Sequence, residues 1–253
     1  MRLYLSSFRL GDHPQRLFEL AGHGRRLALV ANALDGSLEQ VRWAGVDREV
    51  TELASLGFLV TEIDLRDGLA ATKRLPEADV IWVRGGNVFV LRRALADSGA
   101  DAIVVDLLER DAIVYAGYSA GVCVLAPDLH GLERVDDVTA VHDPIYDGLG
   151  VLDRPVVPHV DSPGHPETRD CDVLSAELTR AGRCHWALSD GDVLLARNSA
   201  VERLQRKHSP PSRQPTGDRH PRAAFPRRRC SLWVAVGPRL CGRMTACQLP
   251  LDR

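Results

Sequence analysis

The sequence predicts an α/β protein, a three-layer αβα sandwich around a mostly parallel sheet. Three observations predict it. Short runs of Val, Ile and Leu recur through the first 198 residues, as strands buried on both faces require. Longer segments with apolar residues at helical spacing separate those runs. The resulting strand–helix–strand alternation needs crossovers, which put helices on both faces of the sheet.

The elements follow in order. "RLYLSS", "RRLALVAN", "GFLVTEIDL", "ADVIWVRGG" and "DAIVYAG" read as buried strands. "SLEQVRWAGVDREVTELASLG" reads as a helix with Leu38, Val41, Trp43, Val46, Val50, Leu53 and Leu56 on its apolar face, stopped by Gly57. "VFVLRRALADSG" is a helix after the fourth strand, and "GADAIVVDLLERD" is another before the fifth. "HPETRDCDVLSAELTRAG" has Pro166 near its start, Val173, Leu174 and Leu178 on one face, and Gly182 as a stop. "DGDVLLAR" reads as a turn and a late strand.

The composition fits a folded, water-exposed protein: of 253 residues, 45% are hydrophobic and 26% charged. The start lacks a signal-peptide pattern, and no stretch approaches the ~20 apolar residues of a membrane span. The expected setting is therefore cytoplasmic, with no membrane partner. None of the six cysteines forms a C-x-x-C pair, so neither a zinc site nor a disulfide framework is expected.

The net charge of −2 conceals two kinds of chain. Residues 199–253 hold twelve Lys and Arg against three Asp and Glu, a charge of +9, which leaves −11 on residues 1–198. Seven of the 15 prolines also lie beyond residue 198. The expected division is a catalytic domain over 1–198 and a basic, Pro/Arg-rich, disordered or aberrant tail over 199–253. On this reading a truncation near Asn198 preserves solubility and activity. Arg227, Arg228 and Arg229 form a basic run, but scarce aromatics and no recognisable motif argue against nucleic acid as the partner.

Gly117-Tyr118-Ser119-Ala120-Gly121 satisfies G-x-S-x-G between an expected strand and an expected helix. In that setting the motif exposes a serine nucleophile on a sharp turn; elsewhere it is a packing turn. Arg84-Gly85-Gly86-Asn87 closes the fourth strand at the same carboxyl edge. There the Gly86 and Ala120 N–H groups are candidates for an oxyanion hole, while Asn87 is equally suited to cap the following helix. Of nine histidines, His159 follows the strand-like run in "RPVVPHVDSPGH" and is the first candidate base, ahead of His165 and His142. Glu133, Asp136 and Asp137 lie between serine and histidine and are all candidates to orient the imidazole.

Together, "VRGGNVFVL", "AGYSAGVCVLAP" and "PVVPHVDSPGHPETRD" resemble the peptidase E group of serine peptidases over roughly residues 1–198. The resemblance implies a Ser-His-Asp hydrolase on a sheet like that of class I glutamine amidotransferases, more distantly related to cyanophycinases. It places the nucleophile on Ser119, the base on His159, an oxyanion donor on Gly86, and the acid on Asp136 with Asp137 second. Val88 departs from the Thr usual after G-G-N. The implied substrates are short peptides with an N-terminal Asp, and the implied enzyme needs no metal or organic cofactor. Arg169 matches the arginine of the E-T-R stretch and offers a bidentate grip on the aspartyl carboxylate; Asn87 and His165 are candidates to line the same pocket. A monomer or weak homodimer is expected.

The competing classes are an α/β-hydrolase-type esterase, a ligand sensor with a vestigial site, and a homologue impaired by its C-terminus. Against the esterase, only 40 residues separate Ser119 from His159, and no H-G-G-G-like loop lies upstream.

Overall fold

A computed structural model of the chain describes residues 1–198 and 200–207. The chain forms β1 (Arg2–Ser6), α1 (Pro14–Ala21), β2 (Arg26–Val30), α2 (Glu39–Ser55), β3 (Leu59–Glu62) and a short α3 (Leu69–Thr72). It continues through β4 (Val80–Val83), α4 (Val88–Ser98), α5 (Ala100–Glu109), β5 (Val114–Tyr118) and the single turn α6 (Ala120–Cys123). The last elements are β6 (Val156–Val157), α7 (Thr168–Arg180), β7 (Trp186–Ala187), β8 (Val193–Arg197) and β9 (Ala200–Leu204).

Seven strands make one sheet in the order β3-β2-β4-β5-β1-β8-β9. The first five run parallel, β8 is antiparallel to β1, and β9 is antiparallel to β8. β6 and β7 pair in parallel as a separate ribbon. Alternation along the strands feeds two cores: in β4, Ile81 and Val83 enter one, Val80 and Trp82 the other. Leu91 and Leu95 of α4, Val104 and Leu107 of α5 and Leu174 of α7 cover the first face. Leu17 and Leu20 of α1 and Leu53 of α2 cover the second. The three-layer α/β sandwich expected from the sequence is thus the fold.

α2 forms, but its first turns do not bury the expected face. Leu38, Val41 and Trp43 are exposed, whereas Arg42, Gly45 and Glu49 are buried beside Leu53. Charge goes inside because it finds partners there. Arg42 Nε lies 3.2 Å from Asp35, and its Nη2 lies 2.7 Å from Glu62 and 3.1 Å from Asp64. The Glu49 carboxylate, 1% exposed, accepts from Trp82 Nε1 (3.0 Å) and from the Tyr118 hydroxyl (2.7 Å).

The sheet also runs past the expected boundary at residue 198, because Ala200–Leu204 is its edge strand β9. Asp192, buried just before β8, binds this segment: Arg203 Nη2 and the Arg206 N–H each donate to its carboxylate at 2.6 Å. The remainder of the expected tail, from residue 208, lies outside the described residues, as do Arg227, Arg228 and Arg229. Among the described residues, no helix is long and apolar enough to cross a membrane.

Candidate active site

β1, β4 and β5 are parallel, with Ser6 opposite Tyr118 and Val83 opposite Gly117. Their carboxyl ends therefore release Ser7, Arg84-Gly85-Gly86 and Ser119 at one rim of the sheet. The two glycines around Ser119 are dictated by β4. A Cβ on Gly117 would stand 2.4 Å from the Val83 carbonyl oxygen, and one on Gly121 would stand 2.2 Å from it. Only glycine lets the turn close that tightly over the neighbouring strand. Ser119 itself takes φ 51° and ψ −120°, a strained backbone for a side-chain-bearing residue. Its side chain is half-buried, and α6 starts at once, with the Ser119 carbonyl accepting from Val122 and Cys123 N–H.

The Gly85-Gly86 turn packs against this elbow. A Cβ on Gly85 would meet Ser119 Cβ at 2.8 Å, and Gly86, at φ 149°, has the Ala33 carbonyl oxygen 2.6 Å from where its Cβ would be. Among the described residues, neither the Gly86 nor the Ala120 N–H donates to a protein acceptor. The Asn87 amide caps α4 and ties it to the neighbouring loop: Oδ1 accepts from Phe89 and Val90 N–H, and Nδ2 donates to the Asp137 carbonyl. The helix cap expected of Asn87 is formed.

Beneath the rim, Glu49 ties the two turns together. It holds Trp82 and Tyr118, one residue before Ser119, and its Oε1 lies 3.5 Å from Nε of Arg84, one residue before Gly85.

His159 leaves the β6 ribbon with φ 59°, almost fully buried. Its N–H donates to Ser7 Oγ at 2.8 Å, which anchors it beside the end of β1. Its Nδ1 lies 2.7 Å from Asp190 Oδ1. Asp190 follows β7, accepts from Ser7 Oγ at 3.0 Å, and donates its N–H to Ser162 Oγ at 2.8 Å. Burial pushes the Asp190 carboxyl up, but the His159 hydrogen bond and charge and the Ser7 hydroxyl outweigh it. The group therefore sits below its ordinary value. His159 Nε2 stands 3.9 Å from Glu167 Oε2. Among the described residues, Ser119 Oγ makes no hydrogen bond.

The carboxylate on the imidazole is therefore Asp190 and not Asp136. The structure seats Asp136 on α4 instead, with Oδ2 accepting from Val88 N–H at 2.8 Å. Burial pushes Asp136 up to about 7; the Val88 N–H opposes the rise, and the Glu167 charge adds to it. Asp137 is exposed and accepts from Thr139, and Glu133 accepts from Gly131 N–H. The only sequence signal for Asp190 was its place in "SDGD", a turn after an apolar segment, and the pairing of β6 with β7 is what gives it meaning.

His165 does come to the site. Its ring stacks on His159 at 3.6 Å between centroids and 1° between planes, and the Phe8 ring meets both imidazoles edge-on. Burial and the neighbouring His159 hold His165 below the ordinary imidazole range, against the pull of Asp190. Burial lifts Glu167 above the ordinary carboxylate range; His159 opposes this and Asp190 adds to it. Arg169, in the first turn of α7, is exposed. Among the described residues it has no hydrogen-bonding or ionic partner. His142 is exposed, with its Nε2 3.8 Å from Asp143 Oδ2.

Comparison with known proteins gives a consistent picture. The model of Peptidase family S51 matches residues 18–204. Peptidase E of Salmonella typhi is 32% identical over 192 residues, covering 67% of this chain and 81% of that protein. An uncharacterized peptidase of Listeria monocytogenes is 30% identical over 148 residues, 57% of this chain and 70% of that one. A crystal structure from Listeria monocytogenes EGD-e superposes with a TM-score of 0.69 at 24% identity, covering 81% of this chain and 98% of the other. At that identity the superposition speaks for the fold.

Proposed function

The chain belongs to Peptidase family S51 and is a serine peptidase, and from that premise we propose that it cleaves short peptides bearing an N-terminal Asp through Ser119, His159 and Asp190. The observation that carries this reading is the buried imidazole of His159, its Nδ1 taken by Asp190, at the rim where Ser119 occupies a strained turn. A carboxylate on Nδ1 fixes the tautomer that presents a basic Nε2 and stabilises the imidazolium that forms.

The reaction follows from these roles. Substrate binding brings Ser119 Oγ and His159 Nε2 together; catalytic hydrogen bonds are often long before substrate arrives. Nε2 takes the hydroxyl proton as Oγ bonds to the carbonyl carbon after the aspartyl residue. The Gly86 and Ala120 N–H groups donate to the oxyanion. His159 passes its proton to the leaving amine as the C–N bond breaks, and an ester to Ser119 remains. Water then gives a proton to Nε2 and its hydroxyl to the acyl carbon, and Nε2 returns that proton to Ser119 Oγ as the ester C–O bond breaks and aspartate leaves. Arg169, exposed in the first turn of α7, grips the aspartyl side chain, with His165 lining the pocket. Asn87 holds the oxyanion turn in place.

The test is a panel of Asp-Leu, Glu-Leu and Ala-Leu assayed with the wild type, Ser119→Ala and Arg169→Gln. Expected is cleavage of Asp-Leu alone, abolished in Ser119→Ala and weakened chiefly in KM in Arg169→Gln. Full activity in Ser119→Ala overturns the nucleophile, and equal rates on the three peptides overturn the specificity.

A further inference from the structure

Three side chains at this rim make a second set, which shares His159 with the proposed reaction. His159, His165 and Glu167 each present one metal-capable atom, and the three atoms lie within 4.8 Å of one another. We propose that they form a reversible inhibitory site for a divalent transition-metal ion of the Zn2+ type. That the ion inhibits, as distinct from merely binding, rests on His159 being the base of the proposed reaction.

The donors suit such an ion. Asp190 occupies His159 Nδ1 and directs Nε2 outward, the carboxylate–histidine arrangement that orients imidazoles on metals. Glu167 Oε2 already stands 3.9 Å from that nitrogen. His165 Nδ1 accepts from Glu167 N–H at 3.3 Å, which leaves its other ring nitrogen available. Two imidazoles and one carboxylate leave a fourth position open, and imidazole donors favour zinc-like ions over Mg2+ or Ca2+.

The geometry also says what must move. Two nitrogens on a tetrahedral ion with bonds of about 2.1 Å stand roughly 3.4 Å apart, with the ion in the plane of each ring. The two rings are parallel at 3.6 Å, so one must tilt out of the stack. His159 is held by Asp190 through its side chain and by Ser7 through its backbone. His165 is half-buried and follows Gly164, which has nothing within 4 Å of its Cβ position, so His165 is the ring that turns. The ion then occupies the lone pair that would receive the Ser119 proton, and the reaction stops while the fold stays intact.

Calorimetric titration of Ser119→Ala with ZnCl2 and with MgCl2 tests the site without any need for turnover. Expected is a saturable Zn2+ event that Mg2+ does not reproduce, weakened about tenfold or more by adding Glu167→Gln or His165→Ala. In the enzyme with Ser119 intact, Zn2+ should inhibit Asp-Leu cleavage, EDTA should restore it, and Glu167→Gln should raise the half-inhibitory concentration by a similar factor. No saturable Zn2+ binding, or binding that both variants leave unchanged, overturns the site. Binding that the variants weaken but that leaves cleavage unaffected overturns the inhibition. A protein that cleaves none of the peptides yet binds Zn2+ in this way overturns the proposed function and leaves the site standing.

Discussion

His159 Nδ1 and Asp190 Oδ1 lie 2.7 Å apart, across 31 residues of chain that β6 and β7 bring side by side. The pair puts Asp190 in the place that the family resemblance gives to Asp136. Asp190→Asn should lower kcat by a factor on the order of 10³ to 10⁴, because the amide favours the wrong imidazole tautomer. Asp136→Asn should lower it far less. Steady-state kinetics on Asp-Leu with both variants decides, and a larger loss in Asp136→Asn would reverse the assignment.

Glu49 predicts an effect at a distance from any substrate. Glu49→Gln gives Trp82 and Tyr118 one carbonyl oxygen in place of a carboxylate and turns an N–H group toward donors. It should destabilise the fold by about 1–3 kcal/mol in urea unfolding. It should also lower kcat while leaving KM nearly constant, since Tyr118 carries Ser119 and Arg84 carries the Gly85-Gly86 turn.

Asp136 predicts a pH dependence of stability. Its carboxyl rises from an ordinary value of 3.8 to about 7 in the folded state, so the folded form holds the proton more tightly than the unfolded one. Its contribution is complete below pH 4 and is lost as pH rises through about 7, a change on the order of 4 kcal/mol. Asp136→Asn should remove that slope and raise the melting temperature relative to wild type at pH 8. A wild type whose stability does not fall between pH 5 and pH 8 relative to Asp136→Asn would count against it.

Asp192 predicts that the chain cannot stop at Asn198. Ending there strips Arg203 and Arg206 from a carboxylate that is 2% exposed. Among the described residues the Ser189 N–H is the donor that remains, and hydrogen bonds to a charged group are worth about 1.5–3 kcal/mol each, a loss measurable in urea against a chain that ends after Lys207 and keeps both contacts. Peptidase activity should fall too, because the same loop carries Asp190.

The strands of the sheet were legible because parallel strands buried on both faces are continuous aliphatic runs, and β4 and β5 are such runs. Ser119 was legible because its neighbours must be glycine beneath the Val83 carbonyl, so the motif is written by packing. His159 was legible from the strand before it. The buried face of α2 was not, because Arg42 and Glu49 enter the interior through Asp35, Asp64, Trp82 and Tyr118, partners scattered along the chain. Asp190 was hidden for a related reason: β6 and β7 have two residues each, too short to leave a periodic trace. β9 was masked by its composition, since an exposed edge strand with Glu202 and Arg203 reads as polar chain.

The positive φ of Ser119 has a consequence for how such a protein persists. Glycine adopts that conformation freely, so Ser119→Gly should unfold at a higher temperature than the active protein, by relief of a strain of about 1–3 kcal/mol. Selection acting on durability alone would therefore drift toward glycine at this turn and away from the hydroxyl.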